Sequence, residues 1–534
     1  MRVLVCGEFS QIHSGYAVYG RELLNRLSRT PGVEVAEMAS ICGPEEPKIA
    51  QCNWRVYPVT PSQSDKPAID NYLSNPLNAF GREKFGDVCL DFKPTHVLEY
   101  RDSWNGEYQY RHALRPYYAH IIMPAIDAIP QHRSWIDMYA TADKVLSYTD
   151  WGCDVLREAG LKNVYKSASP CSSAEYRPYS QEDKQKLKDN IGLGDINIVG
   201  TVMRNQGRKL FPDLFKAFSD FIIKFNDKKT YLLCHTSYPD SWEFDELLHE
   251  HGIQNRVLFT YSCRQCENLE VSFYSGAKRH CKKCNSFDST FTRIQNGASN
   301  NALNMIYNMM DVYVQYANGE GFGIPLAEAA SCGLPVMATD YSAMSDIIQK
   351  CNGTPINVKA FRKEPETGRM FAVPDGDDFG QKLHDLFSLP KSDLVSSGEF
   401  SRLLYGLRSY DDTVNVWLEA IKNTRPKLSW NSPNRNFSRP DISRCKNMDN
   451  LQFVKFLIND VLQEPSLNHS YIEARLIRDL TNGYAMRGFD GKYYHEDVEG
   501  RGMTQVEFTR EISLKHFLTL LEDKTNWETR RVTQ

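Results

Sequence analysis

The sequence predicts an α/β protein with at least two domains, each built on a parallel sheet. Its 534 residues exceed what one hydrophobic core usually supports. Apolar runs of strand length alternate with amphipathic stretches of helix length in two successive blocks. In the second block, a glycine-rich turn between a predicted strand and a predicted helix is typical of an anion site. These three observations indicate both the fold class and the place where function is concentrated.

Composition and charge argue against several classes of protein. The net charge of −4 gives no overall attraction to nucleic acid or anionic membrane, so a polyanion would need a local basic patch. The apolar start Met1–Cys6 has the length of a strand rather than of a signal peptide, and no apolar run is long enough to span a bilayer. Most of the fourteen cysteines stand singly, as is typical of a reducing compartment. We therefore expect a cytoplasmic protein without membrane contact.

The first block, residues 1–185, is predicted to form one α/β domain. Its elements are a strand at Val3–Cys6, a helix through Tyr19–Leu27, and strands at Val33–Met38, Val97–Tyr100 and Ile121–Met123. The polar segment 44–66 is predicted to be a loop. The loop Gly7–Gly15 lacks the Gly-x-Gly-x-x-Gly spacing, which argues against a dinucleotide-dependent oxidoreductase.

The second block, residues 190–409, is predicted to form another α/β domain. Its elements are strands at Asn197–Val202, Tyr231–Cys234, Val257–Thr260, Asp311–Tyr316 and Val336–Thr339, with helices at Leu210–Phe225 and Phe244–His249. The loop Pro170–Pro178 or the charged stretch Gln181–Asn190 is the expected linker between the domains.

Beyond the second block, residues 410–425 are predicted to form one more helix and residues 426–534 a linker and a helical appendage. Helical patterns in the appendage fall at Leu451–Leu462, Ser470–Thr481 and Thr504–Leu521.

The most informative motif runs from Asn318 to Glu328. It places two carboxylates, Glu320 and Glu328, on either side of a glycine-rich turn that opens a helix. Gly321 and Gly323 allow a ligand to approach the backbone closely, and the free N–H groups of the helix start favour an anion. An acidic loop before an ordinary helix would give a similar pattern, but the full eleven-residue match is more specific.

This motif resembles the E-x7-E signature of retaining glycosyltransferases of the GT-B type, in the glycosyltransferase-4-like superfamily. The resemblance covers roughly residues 1–425 and implies two Rossmann-like domains that face a cleft, with helix 410–425 crossing back to the first domain. It also implies that Glu320 and the backbone of Gly321, Phe322 and Gly323 hold the donor sugar. Glu328 is then expected to bond the ribose of a nucleotide sugar, and the expected donor is a UDP-sugar.

Basic residues after the first strand of the second block suit the departing diphosphate. Arg204 and Lys209 resemble the Arg…Lys pair that superfamily members place there, and Arg208 is an alternative to Lys209. Cations and backbone N–H groups can neutralise a diphosphate, so we expect no catalytic metal. Gly15 stands where the family's first loop approaches the phosphates, although it could equally serve as an ordinary turn residue.

The residue nearest the reacting carbon departs from the family pattern. The loop Pro124–Pro130 resembles one that often carries an active-site His, but this chain has Asp127 there, with His132 five residues later. Asp127 could orient the acceptor or accept its proton, or it could cap the next helix. Arg101–Trp104 also follows a strand and is a candidate for the acceptor side. The resemblance implies retention, for which a front-face route is usually proposed, rather than a glycosidase pair of carboxylates.

Four cysteines form a predicted structural zinc site. Cys263, Cys266, Cys281 and Cys284 make two Cys-x-x-Cys knuckles, a spacing that suits tetrahedral zinc with no open position. Redox disulfides are the alternative. The ribbon, residues 261–288, is inserted in the second domain. Its basic and aromatic residues suit a phosphate backbone or simply form a small core.

Three hypotheses for the acceptor and the function stay open. Glycosyltransferases of large DNA phages resemble this chain, so one acceptor is hydroxymethylated cytosine in DNA, receiving a sugar such as glucose or arabinose; the host cytoplasm would then be the location. Another acceptor is a sugar or polysaccharide. A hypothesis of another class is a non-catalytic nucleic-acid-binding scaffold with a zinc module.

Overall fold

A computed structural model describes residues 1–430 apart from 103, 113, 172–173 and 294–296. It further describes residues 444, 447–456 and 459–460, and three short strands at 486–487, 493–496 and 503–506. Of the helices in these ranges, none combines the length and the apolar character that crossing a bilayer requires.

The first domain is a seven-stranded parallel sheet flanked by helices, with strand order β3-β2-β1-β4-β5-β6-β7. The strands are β1 Arg2–Glu8, β2 Glu34–Ser40, β3 Arg55–Pro58, β4 His96–Glu99, β5 Ala119–Ile122, β6 Lys144–Ser147 and β7 Val164–Ser167. The helices are α1 Gly15–Leu27, α2 Lys66–Leu73, α3 Phe85–Phe92, α4 Arg133–Tyr139 and α5 Asp150–Glu158. Strands β1, β4 and β5 are almost completely buried, as expected for a parallel sheet covered on both faces.

The second domain is a nine-stranded sheet whose parallel part has the order β10-β9-β8-β14-β15-β16. Its strands are β8 Asn197–Val202, β9 Thr230–His235, β10 Val257–Cys263, β11 Leu269–Phe273, β12 Lys278–Arg279, β13 Ser289–Thr290, β14 Val312–Gln315, β15 Val336–Thr339 and β16 Thr354–Ile356. The helices are α6 Gln181–Asn190, α7 Phe211–Lys224, α8 Phe244–His251, α9 Asn300–Met309, α10 Ile324–Ser331, α11 Ser342–Cys351, α12 Gly376–Ser388 and α13 Lys391–Ser401.

Three further features surround this sheet. Strands β11, β12 and β13 are antiparallel additions that carry the cysteine ribbon. A separate hairpin pairs β17 Val358–Lys363 with β18 Met370–Pro374. Beyond them lie α14 Tyr410–Lys422, α15 Asn450–Phe456 and a three-stranded sheet of β19 Met486–Arg487, β20 Tyr493–Glu496 and β21 Met503–Val506.

The predicted α/β fold is confirmed, and two local predictions are wrong. Segment 44–66 is not a loop throughout, because Arg55–Pro58 forms the edge strand β3. A half-exposed edge strand ending in proline lacks the apolar pattern that identifies buried strands. The helix predicted over 504–521 is wrong at its start, where β21 pairs with β20. The helix predicted over 451–462 corresponds to α15, and the one over 470–481 lies outside the described residues.

Helix α14 packs on the first domain although it follows the second. The indole Nε1–H of Trp417 donates to the Tyr19 hydroxyl oxygen at 2.7 Å, and the Thr413 hydroxyl donates to the Ser169 carbonyl at 2.6 Å. Trp417 is fully buried against the core of both domains. In contrast, α6 is joined to the second domain by an ion pair between Lys188 and Asp311 at 2.6 Å. The chain therefore passes between the domains before α6 and returns along α14.

We expect Trp417→Ala to lower the stability of the protein by about 3–5 kcal/mol, because it removes a fully buried aromatic side chain and its hydrogen bond. Urea unfolding followed by far-UV circular dichroism measures this loss. The matched control is Trp104→Ala, since Trp104 is 45% exposed. Equal midpoints for both variants would show that α14 does not hold the domains together.

Candidate active site

Both sheets reverse their strand order at a point that faces the other domain. In the first sheet the reversal lies between β1 and β4, and in the second between β8 and β14. Loops that leave the carboxyl ends of two such strands diverge to opposite sides of the sheet and leave a crevice between them. The loops after β8 and β14 carry the predicted residues 204–209 and 318–323, so the topology brings these two segments together.

Glu320 lies at the centre of this crevice and is 4% exposed. Its carboxylate forms an ion pair with Arg208 at 2.6 Å and another with Lys209. The amide of Gln315 donates to the same carboxylate at 2.6 Å, and the backbone N–H of Glu320 donates to the Ser342 hydroxyl at 3.0 Å. The loop after β8 is thus bonded directly to the loop after β14.

This burial changes the protonation behaviour of both partners. Burial opposes ionisation of Glu320, but the charges of Arg208 and Lys209 outweigh it and lower the pKa of Glu320 to about 2. For Lys209, burial and then the neighbouring Arg208 guanidinium lower the pKa to about 8, against the attraction of Glu320. Lys209 is therefore a cation at neutral pH whose charge is lost under mildly alkaline conditions.

The turn that opens α10 lies beside this cluster, and a ligand contact there falls to the backbone N–H groups before Pro325, because Pro325 has none and the Leu326 N–H donates to the Gly323 carbonyl at 3.0 Å. Gly323 precedes the helix with φ of 92°, a left-handed conformation that side chains disfavour. Phe322 is only 5% exposed and packs in the main hydrophobic core, so its backbone alone can contact a ligand. The glycines Gly321 and Gly323 thus flank a residue that anchors the turn.

A cavity of about 260 Å³ opens between the domains next to α10. Both domains line it, together with the segment that follows the cysteine ribbon. The lining residues are His13, Ser14, Gly15, Val18, Arg21, Tyr176, Val202, Met203, Arg204, His235, Thr236, Ser237, Thr292, Arg293, Gly297, Ala298, Asn300, Leu303, Ile324, Pro325 and Glu328.

Among the described residues of this lining, Glu328 is the only carboxylate. The Tyr307 hydroxyl donates to its Oε2 atom at 2.6 Å, and burial raises the pKa of Glu328. Burial also lowers the pKa of His235 to about 4, so that imidazole is neutral at pH 7. The charged groups of the lining are therefore Glu328 and three guanidinium groups, which belong to Arg21, Arg204 and Arg293.

Two predicted residues occupy this cavity and not the Glu320 cluster. Arg204 is bonded to Asp240 at 3.2 Å and does not contact Lys209, with which the sequence paired it. Gly15 begins α1 and faces Ile324, where an added Cβ would make an ordinary contact at 3.6 Å. Contacts within the protein would therefore allow a larger side chain than glycine at position 15.

Asp127 lies on the first domain against the loop that carries Glu320, where a Cβ added at Gly319 would come within 2.5 Å of the Asp127 carbonyl oxygen, and its side chain is bonded across the crevice. Its Oδ1 atom accepts a hydrogen bond at 2.6 Å from the guanidinium of Arg369, which lies in the hairpin formed by β17 and β18. The same guanidinium also forms an ion pair with Glu364 at 3.1 Å. Burial raises the pKa of Asp127, while the Arg369 and Arg208 charges oppose this shift. Asp127 therefore does not cap helix α4, whose N-cap is His132.

Two residues of the site, Arg369 and Tyr307, were not predicted from the sequence. Arg369 lies in a hairpin distant in sequence, and no motif marks it. Tyr307 lies in an amphipathic helix, α9, where an aromatic residue normally indicates a position in the hydrophobic core. Asp102, a candidate for the acceptor side, accepts from the Tyr16 hydroxyl at 2.9 Å, whereas its neighbour Arg101 is buried in an ion pair with Glu99 at 2.6 Å.

The four ribbon cysteines converge as their spacing predicts. Their Sγ atoms all lie within 4.8 Å of one another, with 3.5 Å between Cys263 and Cys284 and 3.6 Å between Cys266 and Cys281. Tetrahedral zinc at the usual Zn–S distance requires sulfurs about 3.8 Å apart, whereas a disulfide requires about 2 Å. None of the four is in a disulfide. The set therefore fits a structural metal ion.

Residues 290–393 match the family model described as "Glycosyl transferases group 1". This segment contains the turn at 318–323, helix α10 and both predicted glutamates. It covers about a fifth of the chain. No curated protein matches the sequence.

Several solved structures share the architecture over most of the chain. HepE from Anabaena, solved in complex with UDP and glucose, aligns with a TM-score of 0.54 at 12% identity and covers 79% of this chain and 100% of its own. Sucrose-phosphate synthase from Thermosynechococcus elongatus aligns at 0.56 and 14% identity, covering 79% and 98%. A glycosyltransferase from Rickettsia africae aligns at 0.53 and 14% identity, covering 79% and 99%. At these identities the likeness establishes architecture: the chain has the two-domain GT-B fold, and its residues 290–393 carry the sequence pattern of group 1 glycosyl transferases.

Proposed function

We propose that this protein is a retaining glycosyltransferase that moves a sugar from a nucleoside diphosphate sugar, such as a UDP-sugar, to an acceptor hydroxyl. The observation that carries the proposal is the crevice at the second switch point. There Arg208, Lys209 and the glycine turn that opens α10 lie beside a cavity lined by Glu328. Cations and a helix start suit a diphosphate, and a buried carboxylate suits ribose hydroxyls.

The residues of the crevice can assist departure of the diphosphate without a metal. Arg208 and Lys209 carry two positive charges against the single negative charge of Glu320, so the cluster retains net positive charge. Placed in a buried crevice, that charge stabilises the negative charge that develops as the sugar leaves. Glu328, fixed by Tyr307, holds the nucleotide so that the reacting carbon faces the first domain.

Retention is supported by the state of two carboxylates of the crevice, Glu320 and Asp127. Glu320 is bonded to two cations and an amide, and Asp127 is bonded to Arg369. Neither resembles the free nucleophile of a retaining glycosidase. We propose that Asp127 orients the acceptor hydroxyl, while the leaving phosphate takes its proton on the same face of the sugar.

For the acceptor, we propose hydroxymethylated cytosine in DNA, as for the phage enzymes that this chain resembles. The supporting observation is the exposed surface of the ribbon, whose metal we propose to be zinc. Arg264, Lys282 and Lys283 are exposed and form no ion pair with any described residue. Phe287 is 53% exposed, with the Lys278 ammonium 5.4 Å from its ring centroid. Such a mixture suits a phosphate backbone and unstacked bases, although the base must be extruded to reach the crevice.

We expect Lys209→Ala and Glu328→Gln to lower kcat/KM for the donor by about a hundredfold each, since each removes a charged or bidentate contact to it. Release of the sugar from radiolabelled UDP-glucose and other nucleotide sugars measures this. Lys216→Ala is the matched control, because Lys216 is a surface lysine paired with Asp220 and does not line the cavity. Near-wild-type turnover in both site variants would remove the site assignment.

The pKa of Lys209 predicts how turnover depends on pH. Since its folded pKa is lowered to about 8, the ammonium is charged below that value and neutral above it. We therefore expect kcat/KM for the donor to fall as pH rises through about 8. Lys209→Arg should abolish this alkaline limb, because the guanidinium stays charged. A wild-type profile that remains flat well above 8 would show that Lys209 does not act as a cation in binding.

Mass spectrometry of products distinguishes the acceptors. We expect DNA containing hydroxymethylcytosine to gain one hexose or pentose per modified base, whereas unmodified DNA and plain glycans gain none. Lys282→Glu with Lys283→Glu should weaken transfer to DNA and reduce its salt dependence, by at most about 0.9 in the log–log slope for each lysine. Donor hydrolysis should not change. Transfer to glycans but never to DNA would replace the DNA hypothesis with the polysaccharide one.

A further inference from the structure

The cysteine ribbon grows from the edge of the sheet where the cavity lies. Strand β10 is parallel to β9, and their carboxyl ends therefore point the same way. Cys263 is the last residue of β10, whereas His235 ends β9 and lines the cavity together with Thr236 and Ser237. The metal-binding knuckles are thus attached beside the mouth of the cavity.

Three sets of contacts with the second domain fix the segment through which the chain leaves the ribbon. Strand β13 pairs antiparallel with the end of β10. Phe291 then inserts among aromatic rings of the domain core, 4.7 Å from Tyr261 and 5.5 Å from Phe259 between centroids. Thr292 follows and donates from its hydroxyl to the Thr236 carbonyl at 3.4 Å. These contacts fix the backbone just before Arg293, the next residue, which lines the cavity.

Arg293 carries a charge that no described residue of the protein neutralises. It is exposed in the cavity lining and forms no ion pair within the described part of the chain. Of the two other guanidinium groups in the lining, Arg204 is paired with Asp240, and Arg21 donates to the Ser10 carbonyl at 3.3 Å. The cavity thus holds positive charge in excess of its single carboxylate, and part of that excess comes from the ribbon's return segment.

Beyond residues 294–296, Gly297 lies against the first domain. A Cβ added at Gly297 would lie 2.5 Å from the His13 Cβ, so the two backbones approach more closely than a side chain allows. Ala298 and Asn300 then line the cavity before α9 begins.

We infer that the ribbon is part of the donor site: the metal-closed knuckles fix the segment 289–293, which places the Arg293 guanidinium on the bound nucleoside diphosphate. This inference rests on the proposed function and adds a nucleotide contact supplied by the insertion. Arg293 is a binding residue, and the four cysteines are positioning residues that act through it. Donor affinity consequently depends on the metal although the metal touches no substrate.

Calorimetric titration of the full chain with UDP tests the inference. Elemental analysis should first show about one zinc per chain, bound by four thiolates. In zinc-loaded protein, Arg293→Ala should raise the Kd for UDP roughly tenfold, as expected for loss of one charge-assisted contact. Arg157→Ala is the matched control: this arginine lies on the surface of α5, paired with Asp154, and does not line the cavity, so the Kd of this variant should stay at the wild-type value.

The metal dependence is tested with Cys284→Ser, which alters the exposed cysteine, and with chelated wild-type protein. Both should bind UDP as weakly as Arg293→Ala, and adding Arg293→Ala to either should cause little further loss. Circular dichroism checks that the domains remain folded. Equal affinity of wild type and Arg293→Ala, unchanged affinity after metal removal, or a chain that binds no metal would each contradict the inference alone. A wild-type protein that binds no nucleoside diphosphate would contradict the proposed function as well.

Discussion

The buried contact of Glu320 with Arg208 and Lys209 is the interaction on which the rest of the site depends. It joins the loops after β8 and β14, the two strands at which the second sheet reverses direction. Glu320 and Lys209 are buried whereas Arg208 is partly exposed; burying two charged groups is costly, and apolar packing would stabilise the same position at least as well. The cluster is therefore better explained by the need for positive charge near an anionic ligand than by the stability of the fold. Because Glu320 offsets only one of the two cations, the contact leaves positive charge in the crevice, as the proposed diphosphate donor requires.

A second set of contacts holds the two domains against each other around this crevice. Arg369 reaches from the hairpin β17–β18 to Asp127, and the backbone N–H of Met370 donates to the Ile129 carbonyl at 2.8 Å. On the opposite side, α14 locks onto α1 through Trp417 and Tyr19. The two domains are thus joined by polar contacts on one side of the crevice and by a buried aromatic contact on the other. Polar contacts are the easier ones to break in water, so we expect opening to occur on the hairpin side.

The sequence predicted the fold class and most strands of both sheets because parallel strands buried on both faces are nearly continuous apolar runs. The residues of the turn at 318–323 were predictable for a different reason, since a glycine turn before a helix leaves a local pattern. Arg208 was foreseen only as an alternative to Lys209, because the register of a loop depends on tertiary packing. Arg369 and Tyr307 could not be found, since their partners Asp127 and Glu328 lie 242 and 21 residues away and nothing local marks the contacts. Strand β3 was missed because edge strands carry little apolar signal.

The position of the ribbon within the fold also has a physical explanation. An insertion of this size is tolerated at a loop between a strand and a helix, because the sheet does not depend on the loop's length. At the amino ends of the strands such an insertion would be remote from the crevice. At the carboxyl end of β10 it stands beside β9, whose last residue lines the cavity. The closed loop between Cys263 and Cys284 then restricts where the chain can return, and the aromatic core around Phe291 fixes that return beside Thr236. A metal site that is distant from the reacting atoms can therefore govern which charges surround them.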